Sequence, residues 1–284
     1  ASGPASANGR VEYNLFERCR GENDLISSRS TGNTFRYNTF LESPTAQFTL
    51  RHGSASVVYG NILRNTEGLR IYGDRHLVFS NYFEGNYIGI NLGNGSVEVI
   101  DAAAPNAHER PDGCIIVFNT LVANRTHYQM SRRSGEALGA TKTTFAHNLL
   151  QGGVAAKIEG PYTEAVWTGN MLWSCTAGDL PPEGAIVEEP LLVAGADGIS
   201  RPQMGSPAIG FTAVSVDGVV VDFDGQPRPE KKTVGADEIS DAPAVAHVFT
   251  ARDVGPLAGL EPTPSPVAES PAASETITEE PKPA

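Results

Sequence analysis

Lysine is missing from the first 141 residues of this 284-residue chain, where the only strongly basic side chain is arginine. Arginine holds its proton under ordinary conditions, so no readily titrating amine is available over that stretch. Aromatic residues make up only 7%, and no apolar run approaches the roughly eighteen residues needed to span a membrane as a helix. The three cysteines, Cys19, Cys114 and Cys175, cannot all pair with one another and match no zinc-ligand spacing. They are expected to be small buried side chains, which leaves the redox compartment open. The chain begins at Ala1 without a charged-then-apolar leader, so any export signal is either removed or never present.

Turn formers are abundant, with 30 glycines and 20 prolines, and apolar residues come in runs of two to four. That combination predicts many short strands joined by turns rather than amphipathic helices. The net charge of −12 argues against nucleic acid as a partner, but the charge is unevenly placed. Residues 1–100 hold nine arginines against nine acids and are neutral, whereas residues 236–284 hold nine acids against two bases. The first hundred residues are therefore free to present a local basic cleft.

A repeat runs through the first two thirds of the chain. The segments "EYNLFERC", "FRYNTFLES", "VVYGNILRN", "LVFSNYFEG", "IIVFNTLVAN", "TFAHNLLQG" and "AVWTGNMLWS" each set an asparagine between apolar positions. These asparagines are Asn14, Asn38, Asn61, Asn81, Asn119, Asn148 and Asn170, at intervals of 24, 23, 20, 38, 29 and 22. Such a period predicts an all-β, right-handed parallel β-helix, a solenoid in which the asparagines stack at one bend and satisfy turn backbone groups. The long interval holds "SVEVIDAAAPNAHERPDG", Ser96 to Gly113, expected to be a loop inserted between rungs that walls a groove. After Trp173 the turn-rich pattern predicts a strand-and-turn cap over the C-terminal end of the coil. From about Gly255 the Pro-, Ala-, Ser- and Glu-rich sequence predicts disorder. The organisation expected is thus a remnant or linker over 1–10, a β-helix over 11–240 and a tail over 241–284. Because the repeat is already running at Asn14, the first rungs are expected to lie outside this sequence.

The blocks "VEYNLFERCRGENDLISSRSTGNTFRYNTFLES", "FTLRHGSASVVYGNIL", "GLRIYGDRHLVFSNYFEG" and "GSPAIG … DFDGQPR … VGADE" resemble polysaccharide lyase family six, the alginate lyase and chondroitinase B group. The resemblance runs from about Val11 to Asp237 and matches the C-terminal portion of larger family members. It implies a parallel β-helix that cleaves a uronic-acid polysaccharide by β-elimination. A base removes the C5 proton, a cation neutralises the adjacent carboxylate, and an acid protonates the leaving glycosidic oxygen. Carried over position by position, the family's lysine base is Arg29 in "SSRS", and its arginine acid is Arg51 in "RHG", with His52 beside it in the groove. Glu22 and Asp24 in "GENDLI" match two calcium ligands, while a third, an asparagine, lies upstream of the matching region. The stretch "YGDRH", Tyr72 to His76, aligns with a groove-lining segment, which with Arg70 two residues before it assigns Arg70, Tyr72, Arg75 and His76 to substrate binding.

The lysine-to-arginine change matters most. Arginine starts about two to three pKa units worse than lysine as a neutral base, a penalty of roughly 3 to 5 kcal/mol in the barrier if nothing compensates. A crowded arginine beside Arg51 and a metal is pushed toward neutrality, so Arg29 is expected to serve as the base. The resemblance therefore implies a secreted or periplasmic alginate lyase with calcium as cofactor and an acidic polysaccharide as partner. Beside it stand a non-catalytic β-helix that uses Arg29 and Arg51 as carboxylate anchors, and a lyase of dermatan sulfate. The sulfated polymer calls for more basic residues than this region offers.

Overall fold

The computed structural model describes residues 5–99, 106–132 and 137–259. Among them the backbone winds through three parallel sheets of seven, eight and seven strands, with no α-helix. One circuit lays down Thr34–Arg36 in the first sheet, Thr39–Ser43 in the second and Gln47–Leu50 in the third. The next lays Val57–Tyr59, Ile62–Thr66 and Leu69–Ile71 in register above them. This is the expected β-helix.

The asparagine repeat is the bend between the first and second sheets. From Asn14 to Asn170 the backbone N–H and the side-chain Nδ2 of each asparagine donate to Oδ1 of the next, at 2.9–3.1 Å. The residue before each asparagine (Tyr13, Tyr37, Gly60, Ser80, Phe118, His147 and Gly169) is left-handed, with φ between +51° and +65°. Five of these are not glycine, so each such bend holds a disfavoured conformation that the ladder of buried hydrogen bonds must offset. At Gly60 nothing larger fits, because a Cβ there would lie 2.5 Å from the Tyr37 ring.

Inside the coil, side chains stack rung on rung. Phe16 lies over Phe40 at 4.7 Å, and Phe145 over Trp167 at 4.0 Å, within one continuous core that includes Leu63, Ile71, Val78, Ile90 and Leu121. Of the cysteines, Cys114 is buried in that core, while Cys19 and Cys175 are only half-buried; all three are free.

The segment after the last rung is the expected strand-and-turn element, but it lies along the flank of the coil rather than over its end. Leu192–Ala194 and Ser200–Pro202 form an antiparallel pair, and the chain then runs back toward the first rungs. Ala208 and Val234 pack on Leu149 and Met171, Val219 on Phe79 and Val117, and Phe223 on Ile62 and Tyr82. Further back, Phe249 N–H donates to Thr39 Oγ1 at 3.0 Å. The strap is fastened by Arg228, whose fully buried guanidinium bonds Ser80 Oγ at 2.9 Å, Ala236 O at 2.8 Å and Glu238 at 2.5 Å. Gly255–Leu257 makes a 3₁₀ turn, a departure from the disorder expected from 255; the remainder of that expectation, from 260, lies outside the described residues.

Candidate active site

The third sheet positions the site. Its inward positions are apolar, while register pairs Ser27, Thr49, Arg70, Asn91, Gln129 and Lys157 into one outward row across six rungs. Ser28 pairs with Leu50, so the residues that follow them, Arg29 and Arg51, leave the sheet edge on adjacent rungs. Neighbouring strands lie about 4.8 Å apart, which makes a separation of 22 residues in sequence a single step in space. Arg70 stands one rung further on, paired with Thr49.

Three guanidinium groups thus share one face, and their fields are felt. The Arg51 guanidinium is pushed below the ordinary arginine range by burial first and by Arg29 next, with Asp24 opposing and Arg70 adding to the effect. His52 is likewise pushed down by burial, then by Arg51, Arg29 and His108, which keeps its imidazole neutral. Arg51 Nε, Arg70 Nε and His52 Nε2 are buried and have no hydrogen-bond partner. Buried polar atoms are nearly always paired, so these three are hydrogen-bonding groups open to a ligand or to water.

Anions and rings frame the cluster. Asp24 accepts from Thr49 Oγ1 at 2.6 Å and faces Arg51 Nη1 at 3.9 Å. Arg70 Nη2 donates to the Tyr72 hydroxyl, and its guanidinium lies over the Tyr72 ring. The inserted loop folds back across this face, its ends tied by the bridge of Val97 to Glu109 and by an ion pair of Arg110 to Glu98 at 2.7 Å. That fold delivers His108, which stacks on Tyr72 at 4.4 Å and meets Arg51 Nη2 at 3.2 Å through Nε2. Residues 100–105 of the loop lie outside the described ones.

Not every residue expected at the site is there. His76 is buried, with Nδ1 accepting from Ser56 N–H at 3.1 Å and Nε2 bonding Tyr72 O at 2.9 Å; it ties two rungs together and offers nothing to a substrate. Burial pushes it down to about 4, so it is neutral. Arg75 occupies an exposed left-handed turn position (φ +53°), with its guanidinium paired to Asp74 at 3.6 Å. Tyr72 does flank the cluster, but its ring is covered by His108, so sugar stacking on it would require the loop to lift.

Glu22 and Asp24, matched to two calcium ligands, do not share one strand face. Glu22 is exposed in the bend before Asp24–Ser28, and the pairing of that strand is bulged between Asp24 and Ile26. Asp24 already bonds Thr49 and faces Arg51, and no group of three His, Cys, Asp or Glu among the described residues is placed to hold a metal. As they stand, these residues do not fit calcium.

Further along the sheet, Tyr87, Arg125, Gln129, Lys157 and their neighbours line a depression of about 270 Å³, with the Arg125 guanidinium 4.7 Å from the Tyr87 ring. It extends the polar face beyond the arginine cluster.

The sequence profile of the chondroitinase B family matches residues 4–174, well over half of the chain. The chain belongs to the chondroitinase B family. Its fold matches solved structures from polysaccharide lyase family six. One is the alginate lyase AlyGC, with a TM-score of 0.62 and 21% identity over 83% of this chain and 32% of that one. Another is a mannuronic-acid-specific family six lyase from human gut microbiota, with a TM-score of 0.55 and 25% identity over 66% and 46% of the two chains. A third is a family six alginate lyase solved as a complex with a trisaccharide, at 0.57 and 22% over 70% and 48%. The chain therefore spans about a third to a half of the length of these relatives. No curated protein matches it.

Proposed function

We propose that this chain carries the groove of a polysaccharide lyase that cleaves alginate by β-elimination, working outside the cytoplasm where the polymer is. The observation that carries the reading is the convergence of Arg29, Arg51 and Arg70 on one sheet face, with Arg51 Nε and Arg70 Nε buried and unpartnered. Guanidinium groups bind carboxylates through paired N–H donors, and every uronate ring carries a carboxylate next to C5. Arg29 and Arg70 hold that carboxylate and spread its charge, which acidifies the C5 proton. Arg51, with its proton affinity lowered by burial and its neighbours, is the donor to the glycosidic oxygen that leaves from C4. The Tyr87, Arg125 and Lys157 depression takes a further ring of the chain.

No step is routed through calcium. Dermatan sulfate remains the second substrate, less well matched by a site with few bases beyond the three arginines. Binding without cleavage is favoured by one observation, the presence of arginine at position 29, where the resemblance puts a lysine base. Incubating the chain with alginate and following ultraviolet absorbance of the unsaturated product separates these readings. Rising absorbance that is lost in Arg51→Ala supports the lyase. Retained binding with no product, on alginate and on dermatan sulfate, leaves the chain a carboxylate-binding module.

A further inference from the structure

The elimination needs a group that is unprotonated near neutral pH, and Arg29 is poorly suited to that task. Resting on the lyase reading above, we propose that His108, delivered by the inserted loop, is the catalytic base that takes the C5 proton.

Arginine can only donate hydrogen bonds, so the 3.2 Å contact from Arg51 Nη2 requires His108 Nε2 to be the acceptor. The ring is therefore neutral, with its proton on Nδ1 and its single Nε2 lone pair held by Arg51 in the free chain; Arg51 releases it when it turns to the glycosidic oxygen of the bound polymer. Its orientation is fixed by stacking on Tyr72 at 4.4 Å and an interplanar angle of 27°. The groups facing it are Arg51 and His52 from the third-sheet edge and Tyr72 from the next rung, with Arg29 and Arg70 beyond them. Asp24 faces Arg51 Nη1 at 3.9 Å, and on the loop itself Glu109 and Arg110 follow His108 while Glu98 is paired to Arg110. The cations nearest to it disfavour the imidazolium, and a neutral imidazole is the side chain best matched to general-base work near pH 7. The ring is partly exposed, so a sugar entering along the sheet reaches it without passing through the core.

The step balances. His108 Nε2 takes the C5 proton, the C5–H electron pair becomes the C4–C5 double bond, the C4–O bond breaks, and the departing oxygen takes a proton from Arg51. The imidazolium then returns its proton to Arg51 across their shared contact, restoring both groups.

The test uses the full chain, alginate and the absorbance assay. His108→Gln and His108→Ala should each lower kcat by about 10²- to 10⁴-fold, the ordinary range for a lost general base, with KM changed only a few-fold. Added imidazole should restore part of the rate to His108→Ala, and the low-pH limb of the wild-type profile should be absent from both variants. Melting curves identify variants that fold. A folded His108→Gln with wild-type kcat overturns the inference and leaves the lyase reading intact, as does a lost rate in folded His108→Ala that imidazole does not restore. A wild-type chain that releases no unsaturated product from any poly-uronate overturns the lyase reading and the inference with it.

Discussion

Replacing Asn119 by alanine tests whether the asparagine ladder, rather than the apolar core alone, holds the coil together. Asn119 is buried, its Nδ2 sharing two N–H groups among Val78 O at 3.0 Å, Val117 O at 3.1 Å and Asn148 Oδ1 at 3.0 Å. Its Oδ1 accepts from both the backbone N–H and Nδ2 of Asn81 at 3.0 Å. Alanine removes all of these and strands buried donors and acceptors on both neighbouring rungs. Each such group costs about 1–3 kcal/mol when left unpaired, and water entering the small cavity recovers part, so the loss should be roughly 4–6 kcal/mol. Asn14 supplies the internal control. It is exposed at the start of the ladder and only donates, so Asn14→Ala leaves Asn38 still bonded to the next rung and should cost about 1 kcal/mol. Urea unfolding of the full chain, with midpoints compared at equal slope, measures both. If Asn119→Ala costs no more than about 1.5 kcal/mol beyond Asn14→Ala, the ladder is dispensable and the account of the bends is wrong.

The strap should depend on one ion pair: Arg228→Met leaves Glu238 buried without its partner and should cost about 3–5 kcal/mol, read in urea, with protease cleavage appearing first within 200–250. Asp237 is raised to about 8 by burial, then by Asp224, so the folded state binds a proton that the unfolded carboxylate has released. Stability should therefore fall as pH rises toward 8. Below about 6.5 the depressed histidines His76 and His127, each near 4, act in the opposite sense, so the decline should be isolated between pH 6.5 and 8 and reach about 2 kcal/mol at most. Asp237→Asn should flatten it in pH-dependent melting, and an unchanged slope would refute the assignment. Calcium at millimolar concentration and its removal with chelator should leave the melting temperature in place, since Asp24 and Glu22 form no closed site; a saturable rise abolished by Asp24→Asn would show the opposite.

The coil was legible because its period is written in one residue type. Four of the six asparagine intervals are 20 to 24 positions, which states both the circuit length and the bend, and Arg29 and Arg51, 22 apart, follow from it as neighbours. The flank strap was less legible, yet a signal existed. "LVF" and "IIV" are apolar at every position, whereas a strand with one face in water should alternate. Leu77, Phe79 and Val117 point away from the coil axis and are covered by Val219 and its neighbours, so the unbroken runs announced a cover on the outside. His76 misled for a related reason: a histidine next to an arginine in a turn reads as surface, and only the packing of rungs shows that both its nitrogens are spent on backbone.

His108 could not be placed by counting. It lies 57 residues from Arg51, inside the one long interruption of the repeat, and arrives at the site only because the loop closes through Val97 and Glu109 and lays its ring on Tyr72. The coil fixes donors that never titrate near neutral pH, spaced one per rung, which suits them to gripping a polymer of repeated carboxylates. The imidazole proposed as the base sits on a loop whose length and sequence the solenoid does not constrain. On the proposed reading, affinity for the polymer belongs to the third sheet and pH dependence to the insertion, so an arginine at position 29 is tolerable where a histidine reaches in from above.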